Sequence, residues 1–335
     1  MAVLENQLEN AESWLGRDLA ATDDWIIELS VNDRNEIHRA LSEDRKVNVG
    51  DSAESSRLGS QLTEKLAEIQ RHLEGGRGFV LVRGFPVESF SEAEIAKMFW
   101  AFGCSVGTPE KQDKEGNLLH HVRDTGLNIL ESDNVRGYQT NIELDYHNDG
   151  GDAFLLLCIK KGKSGGVSKL VSATAIFNEV IRRYPEIADV LQEPFYFDNR
   201  VQTNAEARWS KFPIFTYYAE KLYVLYKRGY IELAQRFEDV PKLTEKQISA
   251  LDAMDKTAND PAFELSFTMQ PGDIQIANNY SILHSRTSYI DFDEQERKRH
   301  MLRLWVTLPN GRPLPPEFEY SREFGSSYAR RMKTY

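Results

Sequence analysis

From about residue 140 onward, Gly and Pro turns cut the sequence into short runs rich in β-branched and aromatic residues. The runs 154–160, 168–172, 222–226, 263–269, 273–277 and 300–308 each have the length and composition of a strand. Two amphipathic stretches, near 174–184 and 244–256, read as helices between them. A doubly wound parallel sheet needs regular strand–helix alternation, and this order lacks it. Short strands at turn-limited spacing instead close on themselves as a sandwich, barrel or jelly roll.

The first 75 residues read differently. Leu58, Leu62, Leu66, Ile69 and Leu73 recur at spacings of three and four, which places one apolar stripe on a helix that Gly75 and Gly76 end. A β-rich run at 78–86 follows, and Ser91 with Glu92 and Glu94 opens another helix. Two glycine-containing segments carry no nucleotide chemistry. The glycines at 75, 76 and 78 precede a strand, whereas a dinucleotide loop follows one. Gly162-Lys163-Ser164 has Leu157 where a phosphate loop needs its first glycine.

Charge narrows the partners. Forty-one Lys and Arg against fifty-two Asp and Glu leave a formal net charge of −11, which argues against a phosphate-backbone surface and so against nucleic acid. Two cysteines, Cys104 and Cys158, rule out a disulfide framework. The first thirty residues show no basic segment followed by an apolar one, and no apolar run approaches a membrane span. The expectation is a cytoplasmic protein, alone or as a homo-oligomer, with a small-molecule partner and no membrane.

The stretch Asp145-Tyr146-His147-Asn148-Asp149 carries chemistry. In an extended segment residues i and i+2 face the same way, so the His147 imidazole and the Asp149 carboxylate can share one metal. A third ligand is then needed. Of the other histidines, His38 and His72 lie in charged helical stretches and read as surface residues. His120 and His121 are adjacent and face opposite ways if extended, and His284 follows a turn at the start of a strand. Two His and one carboxylate form the facial triad of non-haem Fe(II) oxygenases. Downstream, alternation over 299–306 puts Arg299, Met301, Arg303 and Trp305 on one face and His300, Leu302, Leu304 and Val306 on the other. Arginines projecting from a sheet can grip carboxylates bidentately.

Taken in order, the segments 76–86, 145–152, 164–172, 271–286 and 297–305 resemble the taurine dioxygenase/TfdA family of Fe(II)- and 2-oxoglutarate-dependent dioxygenases. The resemblance runs from about 78 to 315. It implies a mainly β fold with flanking helices, a double-stranded β-helix (jelly roll, cupin-like). The whole chain, 1–335, is then one domain: an N-terminal helical elaboration over 1–75, a catalytic core over 76–315, and a pocket-covering insert at about 195–262. It implies His147, Asp149 and His284 as iron ligands, Arg299 and Ser168 on 2-oxoglutarate, O2 as co-reactant, and Arg303 on the substrate anion. Tyr138, Asn141 and Arg228 are further substrate candidates, with Arg286 and Tyr230 behind them. The implied activity is oxidation of a C–H bond in a small anionic metabolite, first an amino acid or carboxylic acid, with succinate and CO2 as by-products. A carboxylate at 149 points to oxygenation rather than halogenation. A sulfonate or phosphonate dioxygenase of the same family is the alternative. A non-catalytic cupin-like metal-binding protein is a third reading, and Arg299 and Ser168 count against it.

Overall fold

The computed structural model describes residues 4–42, 47–127, 136–200 and 207–333. Parts of the expected N-terminal elaboration (1–3 and 43–46) and of the expected insert (201–206) lie outside the described residues.

Two sheets build the centre. The larger has the strand order Ile26–Glu28, Phe79–Arg83, Ile274–Asn278, Ala153–Lys160, His300–Thr307, Thr108–Glu110, with Leu119–Val122 also paired to His300–Thr307. The smaller runs Leu265–Phe267, Ser168–Ser172, Ile282–Arg286, Leu144–His147, and every pair in it is antiparallel. Strand alternation decides what each face meets. In the large sheet Phe79, Leu81, Phe154, Ala277 and Met301 point between the sheets, where Leu170, Leu265 and Ile282 of the small sheet meet them. Their neighbours Val80, Val82, Leu155, Leu157, Ile274, Ile276, Leu302 and Leu304 point outward under the helices Thr63–Glu74 and Glu92–Val106. Both faces of the large sheet are therefore buried, which is why its strands read as continuous apolar runs. This is the expected double-stranded β-helix with flanking helices.

The helix Glu92–Val106 starts at Ser91 with a capping box: the Ser91 hydroxyl accepts from the Glu94 N–H while the Glu94 carboxylate accepts from the Ser91 N–H. Both cysteines are buried and free, and burial pushes their thiols up to about 12.

Three expectations change. The N-terminal region is not wholly helical: Ile26–Glu28 pairs in parallel with Phe79–Arg83 and edges the large sheet. Three residues are too few for alternation to show. His38 and His72 are half-buried rather than surface residues, and the His38 ring packs 4.8 Å from that of Phe90. The segment 195–262, expected over the pocket, places most of its buried side chains behind the small sheet. Phe195, Phe212, Phe215, Leu222 and Leu251 share a core with Val171 and Leu283 on that sheet's outer face.

His300 sits behind the large sheet. Its Nδ1 lies 3.2 Å from Glu92 and its Nε2 2.8 Å from Nδ1 of His121. Burial lowers its pKa from 6.5 to about 4. Between those values the unfolded chain binds a proton that the folded chain refuses, so stability falls as pH drops through this window. The urea midpoint is expected to be lower at pH 5 than at pH 7, and His300→Gln to narrow that difference.

Candidate active site

The site sits at the open end of the small sheet. His284 is the cross-strand partner of His147, so the strands Ile282–Arg286 and Leu144–His147 bring two imidazoles together, with ring centroids 4.3 Å apart. Asp149 follows two residues after His147, and its Oδ2 lies 3.9 Å from Nε2 of His284. One donor atom from each of the three residues falls within 4.8 Å of the others. Nδ1 of His147 lies 2.7 Å from the Asp145 carbonyl, which can only accept, so that nitrogen carries the proton and Nε2 keeps a free lone pair.

Electrostatics prepare these groups for a cation. Burial holds His147 below the ordinary imidazole range and His284 well below it. Burial alone would raise Asp149, but the Arg303 charge foremost outweighs it and holds the carboxyl well below its usual range. Two neutral nitrogens and one carboxylate are what a divalent metal requires.

Two buried asparagines set the Asp149 loop. Asn148 Nδ2 donates to the carbonyls of Val224 and Asn279, and its Oδ1 accepts from the Tyr226 N–H. Asn279 Nδ2 donates to the carbonyls of Gly150 and Gly151, at 2.7 and 3.2 Å, while its Oδ1 accepts from the Asp149 N–H at 3.1 Å. At Gly150 a Cβ would stand 2.6 Å from the Trp305 ring, so the turn needs glycine there. Sequence reading missed both asparagines, although the doublet Asn278-Asn279 at the end of an apolar strand was a visible signal. Asn279→Ala leaves three buried backbone groups unpaired and is expected to destabilise the protein by about 2–3 kcal/mol in urea titration.

Arg299 is the second centre. Its side chain is buried, and its Nη1 has no hydrogen-bond partner among the described residues. Nη2 meets the Met301 sulfur at 3.0 Å, and the guanidinium lies 4.9 Å from the Tyr289 ring centroid. Arg286 packs on the same ring at 4.8 Å, and its Nε and Nη1 are also buried without a partner among the described residues. Burial, helped by the neighbouring Arg299 charge, lowers Arg286 to about 10. Gly166, at φ +68°, lets the chain pass Arg299, since a Cβ there would be 3.2 Å from Nε. Ser168, two residues on, is buried and stands opposite Arg286 in the sheet register. A buried cation with an orphaned donor is suited to an anionic ligand.

The substrate candidates fare unevenly. Arg303 projects into the site, but Nη1 donates to both Asp149 oxygens, at 3.0 and 3.2 Å, and Nε donates to Gln112 at 2.7 Å. Its guanidinium is already engaged, between the Tyr138 and Trp305 rings at 5.0 Å each. Tyr138 therefore lines the site. Asn141 is exposed, and its carbonyl accepts from the Tyr289 N–H. Arg228 is held by the carboxylates of Glu232, Asp252 and Asp255. The adjacent Lys227 is the residue that reaches the site, through a backbone bridge to His147.

Two facing sheets, with a compact His-Asp-His group at one end and a buried arginine beyond it, define a metal-dependent oxygenase class. The family model "Taurine catabolism dioxygenase TauD, TfdA family" matches residues 43–305, and the chain belongs to that family; it is a dioxygenase. FR-33289 synthase of Streptomyces rubellomurinus (strain ATCC 31215) is 31% identical over 266 residues, 77% of each chain. A taurine hydroxylase-like protein of Stachybotrys chartarum (strain CBS 109288 / IBT 7711) is 25% identical over 312 residues, 90% of this chain and 80% of the relative. Among solved structures, an asparagine oxygenase in complex with Fe(II), 2S,3S-3-hydroxyasparagine and succinate superposes with a TM-score of 0.65 at 17% identity, over 84% of this chain and 93% of the other. The non-heme iron oxygenase OrfP in complex with Fe and alpha-ketoglutaric acid gives 0.61 at 15%, with the same coverages. At such identities these structures establish the fold. No helix among the described residues is long and apolar enough to cross a membrane.

Proposed function

We propose that this protein is an Fe(II)- and 2-oxoglutarate-dependent oxygenase that oxidises an unactivated C–H bond of a small anionic metabolite, first an amino acid or another carboxylic acid. His147, Asp149 and His284 hold the metal, and Arg299 takes the distal carboxylate of 2-oxoglutarate with Ser168 nearby. The observation that carries the reading is the pairing of the three-donor group with a buried arginine whose Nη1 has no partner among the described residues. A metal-binding protein without a cosubstrate has no use for such a cation. The amino-acid preference draws on the relatives, since the asparagine oxygenase was solved with a hydroxylated asparagine and OrfP with (3S)-hydroxy-L-Arg.

Iron and 2-oxoglutarate, when bound, would let O2 act as the oxidant: 2-oxoglutarate would give up two electrons and leave as succinate and CO2, with one oxygen atom in the succinate and the other available to the substrate C–H bond. The chain's own residues prepare that step. The Asp145 carbonyl fixes the His147 tautomer. Arg303, itself held by Gln112, keeps Asp149 ionised and oriented. Phe154, 4.3 Å from the His284 ring, and the Tyr138 and Trp305 rings wall the site against water. Asn141 stays a candidate substrate contact from its exposed position. Arg228 acts through its carboxylate cluster, not on the substrate.

The test is spectroscopic and then kinetic. Anaerobic protein with Fe(II) should gain a visible absorbance on adding 2-oxoglutarate, and in air should release succinate faster with one member of a panel of amino acids, carboxylic acids, sulfonates and phosphonates. No absorbance change and no succinate across the panel would overturn the reading.

A further inference from the structure

Cations from three separate chain segments converge on Tyr230, and one of them, Lys227, bridges to His147. Arg136 donates from Nη1 to the Tyr230 hydroxyl and from Nη2 to the Arg200 carbonyl, both at 3.4 Å. Arg322 donates to the adjoining carbonyl, that of Asn199, at 3.1 Å. Lys227, whose backbone bridges to His147, lies 5.3 Å from the Tyr230 ring centroid and pairs with Glu323 at 2.7 Å. Among the described residues neither Arg136 nor Arg322 makes an ion pair within contact distance; Glu323 pairs with Lys227 and shares its field with the neighbouring Arg322, which leaves Arg136 without a carboxylate of its own. Arg136 is half-buried and Arg322 is exposed at the rim; a guanidinium partly removed from water beside a second cation is favoured when an anion joins them. Burial alone would raise the Tyr230 phenol; the charges of Lys227, Arg136 and Arg322 more than cancel it, and its acidity is increased.

We propose that Arg136, Arg322 and Tyr230 form a binding subsite for an oxyanion head group of the substrate, next to His147 and separate from Arg299. The two guanidiniums and the phenol O–H supply donors directed by the fixed carbonyls of Asn199 and Arg200. Arg303, engaged with Asp149, does not have to serve that head group. The inference rests on the oxygenase reading for calling the ligand a substrate, and on nothing else in it. It assigns specificity to a region outside the sheets: the cluster draws on the segments around 136, 199–200, 227–230 and 322.

Calorimetric titration of the metal-free full-length protein with inorganic phosphate, at constant ionic strength, tests it. Phosphate should bind. Arg136→Gln and Arg322→Gln should each weaken binding by about tenfold, the loss of one charge-assisted contact. Tyr230→Phe should weaken it less, and urea midpoints should confirm that each variant folds. Acetate, methanesulfonate and methylphosphonate form the second arm. Their order of affinity names the head group, and each should show the same dependence on Arg136. Absence of phosphate binding at tens of millimolar overturns the subsite. So does binding that survives Arg136→Gln and Arg322→Gln but is lost in Arg299→Gln, which places the anion on the cosubstrate arginine. Because these measurements use no iron and no 2-oxoglutarate, the absorbance test of the oxygenase reading can succeed while this one fails, and the reverse.

Discussion

Asp149→Ala is expected to abolish Fe(II) binding at concentrations that saturate the wild type, and with it the absorbance induced by 2-oxoglutarate. Asp149 is the one anionic donor in the three-residue group, and it also faces the Arg303 guanidinium at 3.0 Å. Removing it takes away a ligand and changes the sign of the site. The buried pair Asp149/Arg303 is neutral overall; without the carboxylate, Arg303 is a buried cation aimed at the metal position. Breaking a buried pair by removing one partner costs about 3–5 kcal/mol of folding stability, so the fold should be weakened by about that much, while Fe(II) binding is lost separately because a ligand is gone and a cation faces the metal position. The two effects separate in the double variant Asp149→Ala/Arg303→Leu. Removing the stranded cation should recover much of the urea stability, while Fe(II) binding stays lost because the ligand is still missing. Wild-type absorbance in Asp149→Ala would show that the metal group is misassigned.

Local pattern made much of this legible, and long-range pairing hid the rest. Alternation over 299–306 was readable because both faces of the strand have strict requirements: Leu302, Leu304 and Val306 are buried under the helices, while Met301 faces the small sheet. The helices Ala173–Arg183 and Glu245–Ala258 fall where two helical stretches were legible between the strands; the Thr244 cap of the second came only with the structure. His147 and Asp149 were visible as neighbours. Their approach to His284 depends on a strand register between residues 137 positions apart, from subtraction of 147 from 284, and no local signal encodes it. The destination of the 195–262 segment was hidden for a related reason. Phe195, Phe212 and Phe215 say that they are buried, not which face of which sheet buries them. Arg303 shows the same limit on the chemical side. Its inward position followed from alternation, but its engagement with Asp149 and Gln112 needed three segments placed together. Arg228 was the legible exception: Glu232 stands four positions on, the spacing of a helix-surface ion pair.

Arg299→Gln is expected to weaken 2-oxoglutarate binding by about a hundredfold or more while leaving Fe(II) affinity within a few-fold, since hydrogen bonds to charged groups each contribute about 1.5–3 kcal/mol and a carboxylate accepts two from one guanidinium. The Arg299 side chain makes no ion pair among the described residues; Asp291 bonds its backbone N–H instead. Burial accordingly pushes its pKa down, in the direction of losing the charge. Keeping an uncompensated guanidinium in the interior is a strain on the ligand-free fold. Arg299→Gln should therefore unfold at an equal or higher urea concentration than the wild type when no 2-oxoglutarate is present. With 2-oxoglutarate added the order reverses. The wild type gains stability as the logarithm of ligand over Kd, and the variant gains little. A merely structural arginine gives the opposite first result, a variant destabilised without ligand and equally responsive with it. If the variant keeps the full response to 2-oxoglutarate, the carboxylate is held elsewhere. Arg286, which packs on the same Tyr289 ring and has two nitrogens without a partner among the described residues, is then the residue to replace next.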